Sequence, residues 1–500
     1  MTAPARAALW FVLGTLCLQA AWVLTVPPYR GLDEHEHAYK AAAVARGDWS
    51  PTHPRSPDGW GDRLQVPRDV VDSAHPVCES LPYTTPDNCE GTSNGDGRTT
   101  VASSAARYNP VFYALVGSAA LPFDGVAALY AMRVCAALLC AFLLGAAAFV
   151  LARRGSSRWT WMCFASVLTP IVLYSSAVAA PNGVELASAV LVWVGIVGLR
   201  RDSSRSPAPD RFYLGAVAMG GLGLVMVRTL GPLWLVLILA GGSLLLGRPR
   251  VFALLRSRAG AATAGLLVVA GVAALGWTAA ARTNDPGGPL GVTRDAWAAL
   301  PGGWAMWLFQ SVAAFPARDE IAPLGLYAVT LTVWTVILLV GLRAADHRLR
   351  RAVALVVVSA VLVPSAATLL THAELGIAWQ GRYSYPLALG ALLLCAAAKP
   401  PLPHVHGRLA VALVALTVVV PTAAVELIGV LDVVRGERLS SPLAGTDSWF
   451  VPPDSVLALL VVSGATAWGV AVAVATRSRH LEPEGPAPGR LTLEPSTLHR

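Results

Sequence analysis

Apolar runs about as long as a bilayer core is thick recur along the whole chain, separated by short polar stretches. They lie near 7–26, 126–152, 159–179, 184–199, 212–228, 230–247, 259–281, 323–342, 352–370, 386–398, 409–429 and 455–475. A helix of roughly 20 apolar residues crosses the hydrocarbon. Backbone amides in lipid must be satisfied within the spanning structure, and runs of this length rich in Leu, Val, Ala and Gly meet that demand as helices. The pattern predicts an all-α polytopic membrane protein with about twelve transmembrane helices. Around Arg228, Gly231 and Pro232 it reads either as two short spans or as one broken re-entrant element, and the run from Pro386 is short for a full crossing. The first run follows Arg6 and lacks a small-residue cleavage site before Pro27 and Pro28, so it reads as a retained span.

The polar stretches orient these helices. With a cytoplasmic N-terminus, the inside loops carry Arg153, Arg154 and Arg158, then Arg200, Arg201, Arg205 and Arg211, then Arg248, Arg250, Arg256 and Arg258, then Arg343, Arg348, Arg350 and Arg351. All are short and basic, as the positive-inside rule requires. The expected layout is a first transmembrane helix over 1–26, an extracytoplasmic loop over 27–125, helices two to seven over 126–281 and an extracytoplasmic amphipathic segment over 282–322. Helices eight to twelve then occupy 323–475, and a disordered cytoplasmic tail rich in Pro and Glu occupies 476–500. Long polar material therefore collects on one face. The loop over 27–125 reads as irregular with short helices, and Trp297, Trp304, Trp307 and Phe309 mark an interfacial stretch in the segment after 282.

Composition agrees: 55% of residues are hydrophobic and 14% charged, with a mean hydropathy of +0.56, far from a soluble domain. The net charge of +8 is scattered in loop clusters and does not form a nucleic-acid-binding face. No P-loop or dinucleotide fingerprint appears. Cys17, Cys135, Cys140, Cys163 and Cys395 lie in apolar runs and read as inert buried thiols, whereas Cys78 and Cys89 share the first polar loop and are candidates for a disulfide.

Chemistry concentrates just after the first span, in Pro27-Pro28-Tyr29-Arg30-Gly31-Leu32-Asp33-Glu34-His35-Glu36-His37-Ala38-Tyr39-Lys40. Asp33 or Glu34 is a candidate general base, and on a short surface helix Asp33 and His37 share a face while His35 points elsewhere. His35, His37 and the acids are competent metal ligands, but His-x-His on a helix splays its rings and no distant cluster completes a site, so no metal is predicted. The bland reading is a solvated juxtamembrane helix.

With Arg107-Tyr108-Asn109-Pro110-Val111-Phe112-Tyr113, Leu168-Thr169-Pro170, Pro181-Asn182-Gly183-Val184-Glu185 and Gln380-Gly381-Arg382-Tyr383-Ser384-Tyr385-Pro386, that run resembles the bacterial domain-of-unknown-function family 2142. The family is similar in layout to GT-C membrane glycosyltransferases. The resemblance implies transfer of a sugar from a polyprenyl-phosphate donor to a cell-envelope glycan or lipid acceptor, on the extracytoplasmic side of a bacterial plasma membrane, and the even span count with basic inside loops places both termini in the cytoplasm. Asp33, with Glu34 beside it, matches the position of the first-loop acid. Arg382 is the first choice for the leaving phosphate, with snorkelling as its competing reading. Arg228 assists, and Arg133 pairs with a buried acid. His37, Tyr108, Asn182 and Tyr383 are expected to contact substrate, although interfacial aromatics arise without a ligand, and Glu185 at a helix start also reads as a dipole partner. The chain departs from better-known members in lacking an Asp-x-Asp motif and a large soluble carboxy-terminal domain. The alternatives are a transporter or flippase of an envelope precursor, and a non-catalytic membrane protein of envelope assembly.

Overall fold

The computed structural model describes residues 1–58, 60–93, 95, 97–200, 209–283, 291–318, 320–401 and 407–477. The expected tail from 478, Arg201 and Arg205 lie outside the described residues.

Nine described helices are long and apolar enough to cross a membrane, among them Ala3–Thr25, Gly125–Arg153, Asn182–Leu199 and Asp210–Val227. The pair Gly231–Leu246 and Arg248–Arg256, bent by 113°, passes the same length and apolarity test only when taken together, as a broken span or a re-entrant element. The other two expected runs are helical but broken. One is split into Arg158–Ser166 and Pro170–Ser176, the other into Gly381–Ala388 and Gly390–Cys395. Pro170 and Pro386 lack the amide that an uninterrupted helix needs. The freed backbone groups find partners because both broken elements lie inside the bundle: Val167 O accepts from Tyr385 Oη at 3.0 Å, Ser166 O from Trp334 Nε1 at 2.9 Å and Cys395 O from Trp159 Nε1 at 2.8 Å. Irregular backbone is tolerated at membrane depth only where protein wraps it. The fully buried helix Asn182–Leu199 lies at the centre.

The long polar segments meet at one end of this bundle. Arg30 bridges Glu320 at 2.8 Å and Glu437 at 3.1 Å, and Trp277 Nε1 donates to Arg107 O at 3.0 Å. The arginine-rich turns gather at the other end, where Arg200 pairs with Asp346 at 2.8 Å and Arg250 with Asp210. The segment over 27–125 is more ordered than its irregular composition suggests. It holds the helices Glu34–Ala45, Arg68–Glu79 and Pro110–Ala120 and a three-stranded antiparallel sheet in which Asp62–Pro67 and Thr92–Ser93 flank Arg98–Ser103. A disulfide joins Cys78 to Cys89 and ties the helix Arg68–Glu79 to the turn Pro86–Cys89. Strands this short, one of them two residues long, carry too little alternation to be read in advance. In the second polar segment, the helix Arg294–Gln310 exposes Trp297, Trp304, Leu308 and Phe309 and turns Leu300, Gly303 and Trp307 inward.

Candidate functional site

Where the first helix ends at Val26, the chain turns and Asp33 takes the N-cap position of Glu34–Ala45. Its backbone is left-handed, at φ 56°, and its side chain caps nothing in its own helix. Asp is among the best capping residues and the left-handed region disfavours a residue with a Cβ, so the arrangement forgoes about 1 kcal/mol on each count. The carboxylate turns instead to Arg382, whose Nη2 lies 3.2 Å from Asp33 Oδ2. The Arg382 side chain is 4% exposed and that of Asp33 37%, so the cation is walled in and the acid opens outward. Burial opposes ionisation of Asp33, but Arg382, helped by the His37 and His35 rings and then by Arg228, outweighs that effect and holds the carboxyl below its usual range.

Arg382 is fixed from behind. Gly381 N donates to Gln310 Oε1 at 2.8 Å, and a Cβ at Gly381 would stand 1.9 Å from the Trp307 carbonyl oxygen, so only glycine lets the helix Gly381–Ala388 seat against Arg294–Gln310. Arg228 arrives from the break between Asp210–Val227 and Gly231–Leu246, in extended backbone. It donates to Asn182 Oδ1, and its Nε lies 3.8 Å from Glu185 Oε2. Its guanidinium is 4.9 Å from the Tyr383 ring centre and 5.7 Å from that of Tyr108, while Arg382 lies 5.3 Å from the Tyr383 ring. Tyr383 is thus shared by two cations. His37 meets Tyr113 Oη through Nδ1 at 2.9 Å and stacks on Tyr108 and Tyr113, each 5.9 Å away. Burial lowers its pKa to about 3 and that of His35 to about 4, so both rings are neutral. His35 packs against Tyr39, away from the neighbours of His37.

Seven candidates from the sequence, Asp33, His37, Tyr108, Asn182, Arg228, Arg382 and Tyr383, therefore converge by direct contacts. Glu34 requires a correction. Expected beside Asp33 as a second candidate base, it is wholly buried on the other side of the turn, bonded to Arg133 at 2.8 and 2.5 Å and to Ala179 N at 2.9 Å. Arg133 also donates to the carbonyls of Val23, Val26 and Pro27, which close the first helix. Glu34 is structural because both its carboxylate oxygens are taken up inside the fold, each by Arg133 and by a backbone amide, that of Ala179 or of Gly31. Sequence reasoning passed over Glu36. Its side chain accepts from Ser104 Oγ, and burial, reinforced by Asp33, raises its pKa to about 7. The signal was the density of acids in the run after the first span.

Fold and site together define a polytopic α-helical membrane protein with a paired acid and arginines where its first long polar segment meets the bundle. The chain belongs to the family described as "Predicted membrane protein (DUF2142)", which it matches over residues 16–391. That stretch contains every site residue named above. Neither a curated protein nor a solved structure matches the chain.

Proposed function

We propose that the protein is a GT-C-like glycosyltransferase, which moves a sugar from a polyprenyl-phosphate donor to a cell-envelope acceptor at the extracytoplasmic face of a bacterial plasma membrane. The observation that carries this reading is the Asp33–Arg382 pair, with Arg228 across the Tyr383 ring. Two guanidiniums held near one aromatic ring suit a phosphate, which they bind by paired, charge-assisted hydrogen bonds. The acceptor hydroxyl attacks the anomeric carbon, its proton passes to a carboxylate, and the bond from that carbon to the phosphate oxygen breaks with its electron pair going to the phosphate. At 3.2 Å the Asp33–Arg382 pair is closed, tighter than the gap a sugar phosphate needs. Donor phosphate therefore competes with Asp33 for Arg382, and its binding frees Asp33 to act as base.

Binding of farnesyl phosphate, with farnesol as control, tests the phosphate role by isothermal titration in neutral micelles. Arg382→Gln and Arg228→Gln should each weaken binding at least tenfold, given charge-assisted bonds of about 1.5–3 kcal/mol. Asp33→Asn should bind as well as the native protein or better, and should lose transfer from a panel of polyprenyl-phosphate sugars. Unchanged affinity in both arginine variants would overturn the proposal. The two broken helices favour a second reading, a carrier of a lipid-linked precursor, since carriers build midplane sites from such elements. Movement of labelled polyprenyl-phosphate sugar between leaflets of vesicles, without turnover, would select it.

A further inference from the structure

At the opposite end of the bundle, away from Asp33, lies a cavity of about 300 Å³ lined by Arg200, Leu245, Leu246, Arg250, Asp346 and Arg348. Three guanidiniums face one carboxylate. Arg250 is engaged with Leu199 O and Asp210. Arg200 gives Nη2 to Asp346 at 2.8 Å, while its Nη1 is buried and has no hydrogen-bond partner among the described residues. Arg348 lies across Gly247, where φ is 81° and a Cβ would stand 2.9 Å from the guanidinium carbon, and it reaches Leu246 O at only 3.5 Å. Among the described residues, the cavity therefore holds more cationic donors than are satisfied.

Its position indicates the source of an anion. It sits at the 113° bend where Gly231–Leu246 gives way to Arg248–Arg256. This second helix carries Phe252 and Leu255 exposed, at 60% and 48%, beside its arginines. A short helix turned off the bundle axis with apolar residues outward and arginines beside them lies at the level of lipid headgroups. Leu245 and Leu246 form the apolar wall below the arginines. We propose that this cavity is a binding site for the phosphate of an anionic phospholipid, held by Arg200 and Arg348 with Arg250 fixed behind them. Guanidinium forks suit a phosphodiester, and basic pockets between spanning helices are a known way to hold acidic headgroups.

The site does not depend on the transferase reading, and its test uses different probes. Full-length protein in neutral micelles is titrated with short-chain phosphatidylglycerol, phosphatidylcholine and inorganic phosphate, and bound lipid is counted by native mass spectrometry. The native protein should prefer phosphatidylglycerol to phosphatidylcholine. Each arginine in contact with the bound phosphate is worth about fivefold, so Arg348→Gln should weaken phosphatidylglycerol about fivefold and the pair Arg200→Gln/Arg348→Gln about 25-fold. Asp346→Asn keeps the cap of its helix and removes the competing charge, so it should tighten binding, which a merely structural Asp346 would not do. Arg343→Gln, exposed on the same face, and Arg382→Gln at the other site should leave the affinity unchanged. Displacement of the lipid by millimolar inorganic phosphate would support recognition through the phosphate. Binding of inorganic phosphate with no preference for phosphatidylglycerol would overturn the lipid as source. Equal affinity for both lipids with no phosphate binding, or no response to Arg348→Gln and Asp346→Asn, would overturn the site.

Discussion

The clamp between Arg133 and Glu34 yields the sharpest stability prediction. Both side chains are 0% exposed, and Arg133 makes two bonds to the carboxylate and three to the carbonyls of Val23, Val26 and Pro27. Arg133→Met strands a buried carboxylate and takes its donor from the carbonyls of Val23 and Val26, while that of Pro27 keeps the Arg30 amide at 3.1 Å. Breaking one partner of a buried pair costs about 3–5 kcal/mol, because the remaining charge stays desolvated. Glu34→Gln strands the guanidinium instead and costs a similar amount, reduced to the extent that the three carbonyls still hold it. The double variant Glu34→Gln/Arg133→Met leaves no uncompensated charge, so its cost should fall below the sum of the single costs by about 2–3 kcal/mol. Reversible denaturation by SDS in mixed micelles, followed by far-UV circular dichroism, measures all three. Additive costs, or an Arg133→Met variant within 1 kcal/mol of the native protein, would refute the clamp. The same series separates the adjacent acids: Glu34→Gln should lower stability more than Asp33→Asn, because Asp33 is 37% exposed and an amide oxygen there can still accept from Arg382.

Burial of Glu36 raises its carboxyl from 4.5 to about 7, so its contribution to stability is full below about pH 4.5 and is lost as pH rises through about 7. Glu36→Gln should flatten that decline and be the more stable form above neutrality by about 3 kcal/mol, read from unfolding across pH; parallel pH profiles would count against it. Replacing Cys78 and Cys89 by serine opens a loop of 11 residues' separation and should cost about 3 kcal/mol locally, seen as faster hydrogen exchange in the helix Arg68–Glu79 and not in the spanning helices. Gly381→Ala drives a methyl into the Trp307 carbonyl and should destabilise by about 1–3 kcal/mol and weaken farnesyl phosphate binding; native affinity in this variant would show that the seating of its helix does not position Arg382.

The sequence by itself determined that the chain lives in lipid, where its helices run, and that long polar segments alternate with short arginine-rich turns. Length and apolarity carry that information locally, residue by residue. It also singled out Asp33, Arg228 and Arg382, because charge beside or within apolar runs is costly and therefore informative. Tertiary structure decided which of these meet. Asp33 and Arg382 are 349 residues apart, and no periodicity specifies that pairing. Asp33 and Glu34 are neighbours with the same chemistry, yet the left-handed turn at Asp33 sends one carboxylate to the opening and the other into the bundle. The run over 159–179, which reads as a plain span, is broken near Pro170, the short run from Pro386 belongs to a second broken helix, and only the packing around them supplies partners for the interrupted backbone. A sequence pattern records which surface each helix hides, whereas the site depends on what hides it.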